Sequence, residues 1–137
     1  MVSVDLFHTH LLSLKNCMRI LIVEDEDINR ALLEFHFKRL KHDVVSVTNG
    51  LDAIKAIQRE SFDLVFMDCY MPTMGGYEAT EKIRAGLAGE DKSVIPIYAF
   101  TSEEISDKQL DSIGLNGHLK KPFDLNEIDG LMKKVTN

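Results

Sequence analysis

Short apolar runs alternate with helical patterns five times along this chain, and that alternation leaves few folds open. Residues 19–23 form a β-branched run, followed from Asp27 by Ile28, Leu32, Phe35 and Leu40 at the spacing of one helix face. Residues 44–47 read as a second strand, and Asn49 can cap a helix carrying the stripe Leu51, Ile54 and Ile57. A third strand, 64–67, leads through a loop with Pro72, Gly75 and Gly76 into a helix over 77–87. The fourth run, 94–100, is apolar almost throughout, as a strand covered on both faces should be. Ser106 and Gln109 have the spacing of a capping box, and Gly114 can end a short helix around Leu110 and Ile113. His118 and Leu119 mark a brief fifth strand, and Asp124 caps a last helix that buries Leu125, Ile128, Leu131 and Met132. Five strand-helix units in series predict an α/β fold with a five-stranded parallel sheet, doubly wound.

A chain of 137 residues, 45% hydrophobic, suits one such domain and leaves no room for a second. The units account for residues 18–137, with 1–17 as an N-terminal extension. A net charge of −6 argues against direct nucleic-acid binding, which needs clustered Lys and Arg. Cys17 and Cys69 are too few for a disulfide framework and wrongly spaced for a zinc site, so a reducing, cytoplasmic setting is expected. The extension lacks a basic start and a small-residue cleavage site and is too short and polar to span a bilayer. Its Phe7, Leu11 and Leu14 continue to Met18 at helical spacing, which suits an amphipathic helix docked on this domain or a neighbour, or sequence upstream of a start at Met18. His8 and His10 form a metal-capable pair that lacks a third ligand.

Four runs end in chemically active residues: Glu24-Asp25, Asp68, Thr101 and Lys121. In a parallel sheet these ends share one edge, where ligands of open α/β sheets bind. Each has an ordinary role: the acidic pair on a wet loop, Asp68 as a turn former, Thr101-Ser102 as a helix cap, Lys121 as a solvated lysine. Together they make a different set. Oxygen ligands suit Mg²⁺, a carboxylate can attack phosphorus, and a hydroxyl with an ammonium can hold the phosphoryl oxygens away from the metal.

The segments Ile-Leu-Ile-Val-Glu-Asp-Glu, Asp-Leu-Val-Phe-Met-Asp-Cys-Tyr-Met-Pro, Ile-Pro-Ile-Tyr-Ala-Phe-Thr-Ser and Leu-Lys-Lys-Pro-Phe, in that order, resemble a response-regulator receiver domain. Asn29-Arg30 and Gly76-Tyr77-Glu78-Ala79-Thr80 add a likeness to the receivers of hybrid sensor kinases. The resemblance implies a flavodoxin-like sheet of order 2-1-3-4-5 in three layers, α/β/α. It implies that Asp68 takes a phosphoryl group from a phosphohistidine, in a two-component or phosphorelay system. Asp25, Asp68 and the Tyr70 backbone carbonyl would bind Mg²⁺, Glu24 acting largely through water, with Mn²⁺ an acceptable substitute. Lys121 would contact the phosphoryl oxygens, and Thr101 would swing towards them as a switch. The partners implied are a sensor histidine kinase or a histidine phosphotransfer protein, and a downstream protein that the sequence does not identify. Such a domain catalyses its own phosphorylation and dephosphorylation and is not a stand-alone enzyme. It would be a free regulator or shuttle, or part of a hybrid kinase, since no output segment follows the last helix.

Three departures stand out. His118 occupies a position where such domains often place an inward-turning aromatic switch residue; its imidazole is either a swinging group that makes signalling pH-sensitive or a partly exposed strand histidine. Gly75 replaces a frequent Asp, which should loosen its loop. The interval from Thr101 to Lys121 is short, implying a compact fourth helix or a trimmed loop. Cys69 reads as a small buried hydrophobe, and the Tyr70 ring is placed to border the path of hydrolytic water. Two rivals remain: a constitutive interaction module of the same fold, and a Mg²⁺-dependent aspartyl-phosphate phosphatase of the haloacid dehalogenase type. The latter wants a second acid where this chain has Tyr70. A nucleotide site lacks its glycine-rich loop.

Overall fold

The computed structural model describes residues 17–136. The expectations for Phe7, His8, His10, Leu11 and Leu14 fall outside them. Strands β1 (Arg19–Val23), β2 (Asp43–Val47), β3 (Leu64–Asp68), β4 (Ile97–Thr101) and β5 (Gly117–Lys120) alternate with helices α1 (Asp27–Arg39), α2 (Gly50–Arg59), α3 (Gly76–Arg84), α4 (Asp107–Ile113) and α5 (Leu125–Thr136). All pairings are parallel, in the order β2-β1-β3-β4-β5. The sheet is doubly wound, as the alternation demanded.

Strand alternation sorts the apolar residues between the two faces. Leu21, Val23, Val65, Met67, Ile97 and Ala99 pack with Ala53, Ile54 and Ile57 of α2, Ala79 and Ile83 of α3 and Leu110 of α4. Ile20, Ile22, Leu64, Phe66 and Phe100 pack with Leu33 and Phe37 of α1 and Ile128 and Met132 of α5. A row of rings crosses this second face. Phe37 stacks on Phe66 at 5.1 Å, Phe66 on Phe100 at 5.2 Å, and Phe100 meets Phe123 edge-on at 4.4 Å. Removing Phe66 would open a cavity in the middle of that row, at a cost of about 3–5 kcal/mol.

Helix α1 turns a different face inward from the stripe marked in the sequence. Leu33, His36 and Phe37 are buried, while Ile28 is 84% and Phe35 67% exposed, with Leu32 and Leu40 also open. The helix carries two apolar stripes, and periodicity has no means of ranking them. Burying His36 is made tolerable by Asp129 of α5, whose Oδ1 lies 2.7 Å from Nε2.

Two boundaries also shift. Strand β4 begins only at Ile97, because Pro96 has no N–H for a ladder and Val94 faces solvent. Helix α3 ends at Arg84, with Gly86 at φ 92° in the turn that follows. The compact fourth helix is seen, seven residues long, with both bonds of the Ser106–Gln109 capping box and Gly114 in the left-handed region. Asn49 and Asp124 accept from the Asp52 and Asn126 amides at the starts of α2 and α5. Among the described residues no helix is long and apolar enough to cross a membrane.

Candidate functional site

Parallel strands deliver their C-terminal ends to one edge, and all the residues marked in the sequence arrive there except His118. Asp68 is the last residue of β3 and Thr101 the last of β4, both buried. Glu24 follows β1, its amide donating to the Val47 carbonyl of β2 at 3.1 Å, and it is fully buried rather than on a wet loop. Asp25 beside it is half-buried. Lys121 follows β5, its amide bound to the Thr101 carbonyl at 2.9 Å. From there its ammonium reaches Asp68 Oδ2 at 3.2 Å and Glu24 Oε1 at 3.3 Å. His118 sits inside β5 in register with Ala99, half-buried and outside this group.

Three carboxylates and one ammonium leave the edge with an excess of negative charge in a partly dry place. Burial first, and then Asp68, push the Glu24 carboxyl up to about 7. Asp25 is raised for the same reasons. Burial pulls the Lys121 ammonium down, but Asp68 and Glu24 outweigh it, leaving its pKa above the ordinary value. Among the described residues Glu24 Oε2 is buried without a hydrogen-bond partner, an arrangement that costs free energy unless a cation serves it. One ligand oxygen from each of Glu24, Asp25 and Asp68 lies within 4.8 Å of the others. An all-oxygen donor set with surplus charge fits a hard divalent ion, and Mg²⁺ is the common one.

Two loops border the acids. In the β3–α3 loop the Tyr70 amide donates to Asp68 Oδ1 at 3.4 Å, which brings the Tyr70 backbone to the edge. Its side chain turns out to solvent, and its hydroxyl donates to Glu103 Oε2 at 2.7 Å. Glu103, in the β4–α4 loop, donates its own amide to Thr101 Oγ at 3.1 Å. The two loops are therefore strapped together over the site by a residue that sequence reasoning missed. At Gly75 the first loop passes close to the end of β3, since a Cβ there would lie 2.8 Å from the Cys69 carbonyl oxygen, which accepts from the Gly76 amide at 3.0 Å. A Cβ at Gly76 would overlap the Asp68 carbonyl oxygen, and Gly50 of α2 donates to the Met74 carbonyl at 2.9 Å. Cys69 is buried, and burial raises its thiol pKa, consistent with an inert packing role.

Residues 20–133 match the family profile of the response regulator receiver domain. The chain is 35% identical over 120 residues to the sensor protein GacS of Pseudomonas syringae pv. syringae, covering 86% of this chain and 13% of that protein. It is 32% identical over 111 residues to the autoinducer 1 sensor kinase/phosphatase LuxN of Vibrio campbellii, covering 80% and 12%. The chain thus spans about an eighth of these relatives. Among solved structures, the receiver domain of the sensor histidine kinase PA1611 from Pseudomonas aeruginosa, with magnesium coordinated in its active-site cleft, superposes with a TM-score of 0.77 at 30% identity. That match covers 88% of this chain and 98% of the other. The Saccharomyces cerevisiae Ssk1 receiver, crystallised with the histidine phosphotransfer protein Ypd1, gives 0.78 at 26%, covering 88% and 89%.

Proposed function

Since the chain belongs to the response regulator receiver family of two-component and phosphorelay signalling, we propose that Asp68 is its phosphoryl acceptor and a phosphohistidine its donor. The observation that carries this reading is the Lys121 ammonium held between Asp68 and Glu24, beside a buried carboxylate oxygen, Glu24 Oε2, without a hydrogen-bond partner among the described residues. Glu24, Asp25, Asp68 and the Tyr70 carbonyl would hold Mg²⁺, which supplies charge neutralisation for the incoming phosphoryl oxygens. Mn²⁺, with the same oxygen chemistry, would substitute.

In the transfer an Asp68 carboxylate oxygen forms the bond to phosphorus as the bond to the donor's imidazole nitrogen breaks, the ring leaving with the electron pair. Lys121, already 3.2 Å from the attacking carboxylate, pairs with a phosphoryl oxygen as the charge moves outward. Thr101, whose Oγ accepts from the Glu103 amide, would turn to donate its hydroxyl to a phosphoryl oxygen, giving up a contact that the unphosphorylated state keeps. Hydrolysis by water returns Asp68 to its starting state, so the domain turns over its own modification and is not a stand-alone enzyme. His118, three residues before Lys121, is a second moving part in this reading.

The donor would be a sensor histidine kinase or a histidine phosphotransfer protein, as the Ssk1 receiver was crystallised with one. It would dock on the exposed stripe Ile28, Leu32 and Phe35, since α1 starts two residues after Asp25 and runs away from the acid edge. A protein of this kind works in the cytoplasm, reads out through a further protein and needs no nucleic acid. Intact mass after incubation with acetyl phosphate and Mg²⁺ tests the reading. A metal-dependent gain of one phosphoryl group, lost in Asp68→Ala, supports it. No adduct and no binding of a phosphate mimic would instead mark a constitutive interaction module.

A further inference from the structure

Arg30 stands where its helix does not favour it. It lies in the first turn of α1, and the positive end of a helix dipole disfavours a cation there. Its ion pair with Asp27, three residues back, does not account for the placement. Asp27 is 89% exposed, and such surface pairs contribute little. The guanidinium itself is only 21% exposed, because it reaches back past the helix start. There Nη1 donates to the Glu24 carbonyl at 3.1 Å and the Asp25 carbonyl at 3.4 Å, while Nη2 meets Asp27 Oδ1 at 2.6 Å.

Those two carbonyls belong to the peptide units on either side of the Asp25 Cα. Pinning both peptide planes fixes the direction of the Asp25 Cα–Cβ bond, from which its carboxylate extends. Glu24 is held from its other end by the bond of its amide to Val47. A planar fork whose one nitrogen carries two hydrogens can serve two successive carbonyls and an acid at once, which an ammonium on a flexible stem does not reproduce.

We propose that Arg30 is a positioning residue that aims the Glu24-Asp25 pair at the cation, acting through the backbone and never touching the ion. The inference rests on the reading of the edge as a Mg²⁺ site. Outer residues that orient ligands typically change metal affinity by about 10–100-fold when removed.

The test is a Mg²⁺ titration of the EDTA-stripped protein, followed through the amide NMR signals of residues 24, 25 and 68. Arg30→Ala should weaken binding about tenfold or more, and Arg30→Lys, which keeps stem and charge, about threefold or more. Asp27→Asn removes only the ion pair and should stay within about twofold of wild type. With acetyl phosphate as donor, Arg30→Ala should need more Mg²⁺ yet approach the wild-type rate when saturated, a split that general destabilisation would not give. Should Arg30→Ala fail to fold, Arg30→Lys decides. Arginine variants with wild-type affinity, or an Asp27→Asn loss equal to that of the arginine variants, would overturn the proposal. A wild type that binds no Mg²⁺ overturns instead the metal reading on which it rests.

Discussion

Glu24→Gln isolates the free energy of a buried charge. The wild-type carboxyl rises from 4.5 to about 7 on folding, chiefly through burial. At about 1.4 kcal/mol per pH unit, that is about 3 kcal/mol of preference for the protonated form. A folded-state pKa above the unfolded one contributes stability that is complete below about 4.5 and is lost as the pH rises through about 7. Between about pH 5.5 and 8.5 the metal-free wild type should therefore lose about 2 kcal/mol from this group, roughly 8 °C in Tm for a domain of this size. The amide of Glu24→Gln keeps the shape and does not titrate, so the variant should be more stable than wild type at high pH and its stability curve flatter by that amount. Thermal melts in EDTA from pH 5 to 9, with difference curves between the two proteins, measure the effect. Saturating Mg²⁺ should lift the wild type at pH 8.5 and do much less for the variant. Parallel curves would refute the reasoning, since Glu24 would then pay no desolvation cost on folding.

Phe35→Glu puts a charge into the exposed α1 stripe and should slow transfer from a phosphohistidine donor about tenfold or more, leaving phosphorylation by acetyl phosphate unchanged; equal loss with both donors would place the stripe outside the docking surface. Tyr70→Asn, or Glu103→Gln, weakens the strap over the edge and should raise the dephosphorylation rate about fivefold, the equivalent of about 1 kcal/mol of lost hydrogen bonding; an unchanged rate in phosphate-release assays would remove the strap from the control of water. If His118 is a moving part, the NMR signals of its ring should move when a phosphate mimic fills the edge, and unchanged signals would leave His118 an ordinary strand residue.

The sheet was legible because buried parallel strands must be apolar on both faces, and runs such as 19–23 and 64–67 have no other comfortable home. The acid edge was legible for a related reason: four such runs each ended in reactive residues, and parallel topology brings those ends together. The inward face of α1 was not. Leu33 and Phe37 have the same helical claim as Ile28, Leu32 and Phe35, and the choice is made by the sheet and by Asp129, 93 residues away from His36. Arg30 and Glu103 were missed because their bonds are to backbone atoms and to a tyrosine 33 residues distant, neither of which leaves a side-chain pattern. The Asn29-Arg30 pair, and an arginine in the first turn of a helix against the dipole, were the available signals.

The glycines around Asp68 make the site mechanically lopsided. On the α2 and α3 side, backbone lies against backbone at Gly50, Gly75 and Gly76 with no side chain between to yield, so that flank is stiff. On the other side the β4–α4 loop is tied to the edge by the Glu103 amide, a contact Thr101 would give up on turning to a phosphoryl group, and by one side-chain bond to Tyr70. A load applied at Asp68 therefore travels into the compliant flank. If Asp68 takes the phosphoryl group as proposed, a reader of that state would have to feel for it along the β4–α4 loop, α4 and β5, whereas a protein gripping α2 and α3 would meet the same surface in both states and could hold the domain without sensing its signal.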